Sequence, residues 1–320
     1  MIHDGPDRGN KSFRSGDSDD SKSAADVLPE ASARQTSFVD LRPSYDRSVT
    51  KPFRFGVGLQ AARRQKSVQD WARRAEDMGY DIVHVADHLY TTAPFPMMTA
   101  MAMATERLRV GTFVLNAGFY RPALLAREVT TLRDLSGGRF DLGLGAGYVK
   151  VEFEQAELPY PSAGQRVDWL RHVTEHMNEH APDVPILIAG NGDKLLTLAA
   201  QRADIIGLTG GAPITATSDP LADRIAFLRQ AAGDRFDDLE LNIAVTAMPT
   251  DDSGRPDLSI TSRFLPHLSE EELLATPAVL SGSTSEIADT LRGYRETYGI
   301  SYITVQQLHA EPFAKVIAEL

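Results

Sequence analysis

Residues 122–148, PALLAREVTTLRDLSGGRFDLGLGAGY, carry the pattern that decides the fold. Pro122 suits a first helical turn, where its fixed φ is already helical and its missing N–H would have had no partner. Leu125, Val129 and Leu132 recur at helical spacing, and Gly137-Gly138 stops the helix. Phe140–Leu144 then reads as a short apolar strand, and a glycine-rich loop follows it. Helix, stop, strand and glycine loop make one unit of an α/β fold.

The same alternation extends in both directions. Apolar, β-branched runs at Phe53–Leu59, Ile82–Ala86, Leu108–Leu115, Phe140–Leu144, Pro185–Ala189, Ile205–Leu208, Leu239–Val245 and Tyr302–Val305 are separated by amphipathic segments. Eight such strands predict a closed (β/α)8 TIM-like barrel over residues 52–320. Ser67 with Asp70 reads as a capping box, with Val68, Trp71, Ala72, Ala75 and Met78 on one face and Gly79 as the stop. Ser283 with Glu286 starts a second capped helix, which ends at Tyr298-Gly299. Pro249–Pro277 breaks the rhythm after the seventh strand and is read as a rim insertion, with a turn at Asp251–Gly254 and a helix start at Ser269. Residues 1–51 are polar and aperiodic, which predicts a disordered N-terminal extension; Phe38, Val39, Leu41 and Tyr45 form its one apolar island, a possible docking arm.

Composition narrows the function. The 320 residues are 42 % hydrophobic and 24 % charged, as in an ordinary soluble enzyme. With no cysteine there is no disulfide framework, thiolate metal site or thiol nucleophile, and a reducing cytoplasmic setting fits. A net charge of -11 with scattered basic residues argues against nucleic acid. No apolar run approaches the roughly 20 residues that span a bilayer, so no membrane partner is expected.

Barrels of this kind place their chemistry at the C-terminal ends of the strands. After the second strand comes Asp87-His88, an ionisable pair suited to proton transfer, although Asp87 can equally cap a turn while His88 packs. The third strand leads to Asn116-Ala117-Gly118-Phe119-Tyr120-Arg121, an amide, two rings and a guanidinium for a planar polar ligand, or simply a turn at Gly118. Following the fourth, Gly143 to Tyr148, including Gly145, Ala146 and Gly147, lets backbone amides approach a ligand, though strand-end glycines also relieve crowding. Gly190-Asn191-Gly192 precedes a helix whose free amides face a phosphate, and Thr209-Gly210-Gly211 closes the neighbouring strand. His172, His176 and His180 share a helix face, so no metal site is expected from them.

Together these stretches resemble the luciferase-like monooxygenase superfamily, in its branch of coenzyme F420-dependent oxidoreductases, from about Phe53 to Val305. The resemblance rests on Arg54-Phe55-Gly56-Val57, Val85-Ala86-Asp87-His88, Ala126–Leu132, Leu135–Tyr148, Pro185–Gly190 and Gly299–Val305, in that order. It implies a cofactor at the C-terminal face, F420 or alternatively FMN. His88 would lie near the reactive ring and Tyr148 beside it as a second proton source. Asp87, Asn116, Gly145, Ala146, Gly147, Gly190, Asn191, Gly192 and Thr209 would hold the cofactor. A non-proline cis peptide within Val114–Gly118 and a possible homodimer are also implied.

Two departures stand out. Sugar-phosphate dehydrogenases of the family carry a catalytic glutamate where this chain has Tyr148. The stretch Trp169–Pro185 is shorter than usual, passing through what reads as one short helix. The expected activity is a reductase passing hydride to an electron-poor double bond of a small molecule or modified peptide. The alternatives are an FMN-dependent monooxygenase using O2 and a barrel that binds or regulates without catalysis.

Overall fold

The computed structural model describes residues 51–59 and 65–320. The expected extension, with its apolar island, lies outside the described residues. Nine strands form: β1 Arg54–Leu59, β2 Ile82–Val85, β3 Arg109–Thr112, β4 Leu115–Asn116, β5 Phe140–Gly145, β6 Ile186–Ala189, β7 Ile205–Leu208, β8 Glu240–Ala244 and β9 Ile300–Gln306. All pair in parallel in the order β3-β2-β1-β9-β8-β7-β6-β5-β4, and β3 also pairs with β5, which closes the barrel. β3 and β4 share one position, so eight positions are filled, as the sequence predicts.

The third position corrects the sequence reading. Leu108–Leu115 was expected as one strand, but it is broken after Thr112, and the Phe113-Val114 peptide bond is cis. That bond sits at the N-terminal edge of the expected Val114–Gly118 window. β5 pairs with β3 at Val110 and Gly111 and with β4 at Leu115 and Asn116. Between those registers the Thr112 hydroxyl substitutes for a ladder: it donates to Gly143 O and accepts from Gly143 N, each at 2.8 Å.

Strand alternation sorts the core into two layers. Ile82, Leu187, Ile205 and Tyr302 meet inside the barrel, with Phe113, Val114 and Ala189 against them. Val83, Val85, Ile186, Ile188 and Ile303 face outward into the larger core beneath the helices. The inner layer is polar toward its N-terminal end. Asp141 accepts from Arg54 and from Arg109 Nε at 2.9 Å, and Arg54 also donates to Glu240 at 3.1 Å. Above them the Tyr302 hydroxyl meets His84 Nε2 at 2.5 Å. Burial, reinforced by the charge of Arg54, drives the His84 imidazole down to about 3, so it stays neutral near neutral pH.

Helix signals are mostly realised. Ser269 with Glu272 and Ser283 with Glu286 form capping boxes, and Gly299 closes the last of these helices at φ 72°. Ser67 does not cap: its helix begins at Gln65, so Ser67 is the third helical residue. Its apolar face is as expected, with Val68, Ala72 and Ala75 buried. The short helix expected before β6 is 18 residues long, Ala163–His180, and carries an unforeseen capping box at Ser162 and Gln165. The insertion after β8 holds two short helices, Thr261–Phe264 and Glu270–Leu274. It is tied to the rim where Ala278 N donates to Gly210 O at 3.1 Å. No described helix is long and apolar enough to cross a membrane.

Candidate active site

The loop leaving β2 turns at once and is held by its neighbour. Asp87 Oδ2 accepts from Asn116 N at 3.1 Å. Burial raises the Asp87 carboxyl above its usual range, although the Asn116 amide, a bond from Tyr120 and the nearby His88 oppose the rise. Tyr120 is raised in turn, first by burial and then by the charge of Asp87. Thus pinned, the loop presents His88 with its side chain 27 % exposed.

His88 has a partner that the sequence did not disclose. Its Nδ1 lies 2.9 Å from Glu152 Oε1, and the Glu152 side chain is only 3 % exposed. Glu152 sits in the first turn of the helix Lys150–Gln155, which is anchored by the buried Phe153 packing on Phe119 and Tyr160 at 5.3 and 5.2 Å between ring centroids. The signal was faint: Glu152 is one of several charged residues in Lys150–Gln155, which reads as a solvated segment. Glu152 is a carboxylate four residues after position 148, and it reaches His88. Tyr148, expected as a proton source, is 72 % exposed and gives its backbone carbonyl to Tyr160.

The glycines after β5 answer first to packing. A Cβ on Gly143 would stand 1.9 Å from Thr112 O, and one on Gly145 would stand 2.7 Å from Val114 Cγ2. Gly147, at φ 72°, lies against the Asn116 amide, whose Oδ1 caps the next turn by accepting from Gly118 N at 3.0 Å. Arg166 fixes the loop from outside, donating to Gly147 O at 2.8 Å. Ala146 packs half-buried against the outer core.

The second cluster is more open. Gly192 caps the ten-residue helix Asp193–Arg202 with no side-chain cap, and nothing lies within 4 Å of where its Cβ would be. Asn191 Oδ1 accepts from Thr209 Oγ1 at 2.7 Å, joining the loops after β6 and β7. Gly190 adopts φ 155° over the Leu195 side chain. The expected residues thus form two groups on one rim: Asp87, His88, Asn116 and Gly145–Gly147 after β2, β4 and β5, and Gly190–Gly192 with Thr209 after β6 and β7. Since β5 and β6 are neighbours, the groups adjoin. On the inner wall, Gln306 Oε1 at the C-terminal end of β9 and Asn242 Oδ1 on β8 are buried without a hydrogen-bond partner among the described residues. His176 and His180 stack at 3.9 Å on the outer helix, away from these loops in sequence and on a different element.

Comparison with known proteins agrees with this geometry. Over 180 residues the chain is 28 % identical to the 5,10-methylenetetrahydromethanopterin reductase of Archaeoglobus fulgidus, covering 50 % of this chain and 54 % of that protein. It is 27 % identical over 225 residues to the F420-dependent glucose-6-phosphate dehydrogenase of Amycolatopsis mediterranei, covering 59 % and 68 % respectively. The chain thus spans about half the length of the reductases it matches. A long-chain alkane monooxygenase superposes with a TM-score of 0.67 at 14 % identity over 85 % of this chain and 92 % of that one, a likeness of fold. The profile of the luciferase-like monooxygenases matches residues 46–255, about two-thirds of the chain, taking in strands β1 to β8. That match covers more than half of the chain: the chain belongs to the luciferase-like monooxygenase family.

Proposed function

We propose that this protein is an F420-dependent oxidoreductase, a reductase acting on an electron-poor C=C, C=N or C=O bond of a small molecule or modified peptide. The observation that carries the reading is the buried Glu152 carboxylate on His88 Nδ1. A carboxylate there orients the ring and leaves Nε2 as the nitrogen that can carry a transferable proton.

The residues suit a deazaflavin. Gln306 Oε1, at the C-terminal end of β9, is a buried acceptor with no donor among the described residues, which the imide N–H of such a ring would satisfy. The uncapped amides at Gly192, beside Asn191 and Thr209, suit its phosphate. Asp87, Asn116 and Gly145–Gly147 would flank the ring. When bound, the reduced deazaflavin supplies the hydride and leaves oxidised. His88 then delivers the proton from Nε2 to the other atom of the double bond, and Glu152 holds the imidazole in place as its charge changes. Asp87 keeps the His88 loop against β4 throughout.

The family's name and the likeness to an alkane monooxygenase support a second reading, reduced FMN with O2. Titration of the purified protein with F420 and with FMN, followed by fluorescence, and then O2 uptake with each reduced cofactor, separates the two. F420 binding without O2 uptake is expected. Tight FMN binding with O2 consumption would replace the proposal, and binding of neither would favour a barrel without catalysis.

A further inference from the structure

We infer that the acceptor is a neutral, planar, largely apolar molecule, held face-on by Tyr90 and Tyr148 beside the His88–Glu152 pair, and not a phosphorylated sugar. The inference rests on the proposed redox site and names its substrate class.

Two rim loops place large apolar groups in water around the reactive pair. Leu89 and Tyr90 follow His88 and are 45 % and 77 % exposed; Tyr148 and Val151 precede Glu152 and are 72 % and 53 % exposed. The Tyr90 ring already stacks on the His88 ring, with centroids 5.0 Å apart and planes 16° from parallel. The two loops meet where His88 Nδ1 lies 2.9 Å from Glu152 Oε1. Apolar side chains left in solvent at a rim of this kind gain from covering by a flat apolar ligand.

Charge on this sector excludes the opposite class. Two carboxyl groups, Asp87 and Glu152, adjoin His88. Among the described residues, the basic side chains of these loops already have contacts of their own. Arg166 donates to Gly147 O and Pro161 O, Lys150 pairs with Glu154 at 3.3 Å, and Arg121 lies over the Trp169 ring at 5.5 Å. A phosphate here would meet the charge of Asp87 and Glu152. The open amides for an anion lie on the adjoining group of loops, at Gly192, where the cofactor's own phosphate is assigned.

Calorimetry on the full-length protein, with and without oxidised F420, tests this with menadione as the neutral planar probe and glucose 6-phosphate as the anionic one. Menadione is expected to bind with a Kd lower by about tenfold or more, a difference of about 1.4 kcal/mol. Tyr90→Ala and Tyr148→Ala should each raise the menadione Kd by about fivefold, and Tyr90→Phe should restore it, while the F420 Kd changes by less than about twofold. Tighter binding of glucose 6-phosphate, or a menadione Kd unmoved by both alanine variants, overturns the inference. So does sedimentation showing a dimer that Tyr90→Ala dissociates, which would assign the patch to a second copy. Failure of F420 to bind at all counts against the redox reading instead, and the probe titrations without F420 still decide the substrate class.

Discussion

Asp141→Asn should remove the charge that holds the N-terminal end of the barrel together. The Asp141 side chain is 3 % exposed and neutralises Arg54 and Arg109, whose side chains are 17 % and 29 % exposed. Burial opposes its ionisation, but the two guanidinium groups outweigh burial and hold its carboxyl below the usual range. Breaking a buried pair by removing one partner typically costs about 3–5 kcal/mol, because the other charge is left buried and unpaired. Arg54 keeps Glu240, and Arg109 keeps some solvent, which places the expected loss near the lower end, about 3 kcal/mol. In a domain of this size that lowers Tm by about 6–12 °C. The pH dependence follows in sign: a depressed carboxyl stabilises the fold above its unfolded pKa of about 4, and that contribution fades as pH falls through the folded value. Urea melts of both proteins at pH 7 and at successively lower pH should therefore show a gap that is widest near neutrality and narrows below about pH 4. Glu240 works the other way, since burial holds its carboxyl above the usual range despite Arg54, and it is common to both proteins. A variant within about 1 kcal/mol of the parent at pH 7 would refute the reasoning, because the network would then be solvated.

Other substitutions probe separate links. Gly143→Ala puts a Cβ 1.9 Å from a strand carbonyl that cannot swing aside, so a loss of about 3 kcal/mol or more, or failure to fold, is expected in thermal melts. Ser283→Ala removes one capping box and should cost about 1 kcal/mol, a Tm drop of about 2–4 °C by calorimetry. Glu152→Gln should lower the rate of proton delivery by about tenfold to a hundredfold in single turnover while the F420 Kd stays within about twofold. A large change in F420 affinity there would mean that Glu152 serves the cofactor and not His88.

The barrel was legible because its strands are short apolar runs bounded by glycine and proline, and because Ser269 and Ser283 each have a glutamate three residues on. Ser67 misled for want of context: the helix already runs through it from Gln65, so its hydroxyl has no helix start to cap. The break after Thr112 was not read from the residues, since Leu108–Leu115 is mostly apolar and β-branched, and only the facing Gly143 shows why a hydroxyl replaces the ladder. For the same reason Gly143 and Gly145 stayed open between ligand contact and relief of crowding: sequence does not say which atoms stand opposite a missing Cβ. The rim residues Asp87 and His88 were found by position after a strand. Glu152 was not, because its burial and reach depend on Phe153 wedging the following helix against Phe119 and Tyr160, contacts set by tertiary packing.

The division of labour on the rim is tested most directly by comparing His88→Ala with Gly190→Val. Reduced F420 is mixed with menadione, its oxidation is followed by absorbance in single turnover, and the F420 Kd of each variant is measured alongside. The account predicts that His88→Ala slows turnover by about a hundredfold or more with little change in Kd, and that Gly190→Val, which forces a branched side chain onto Leu195, chiefly weakens binding. Equal loss of affinity in both variants, or undiminished turnover in His88→Ala, would contradict it.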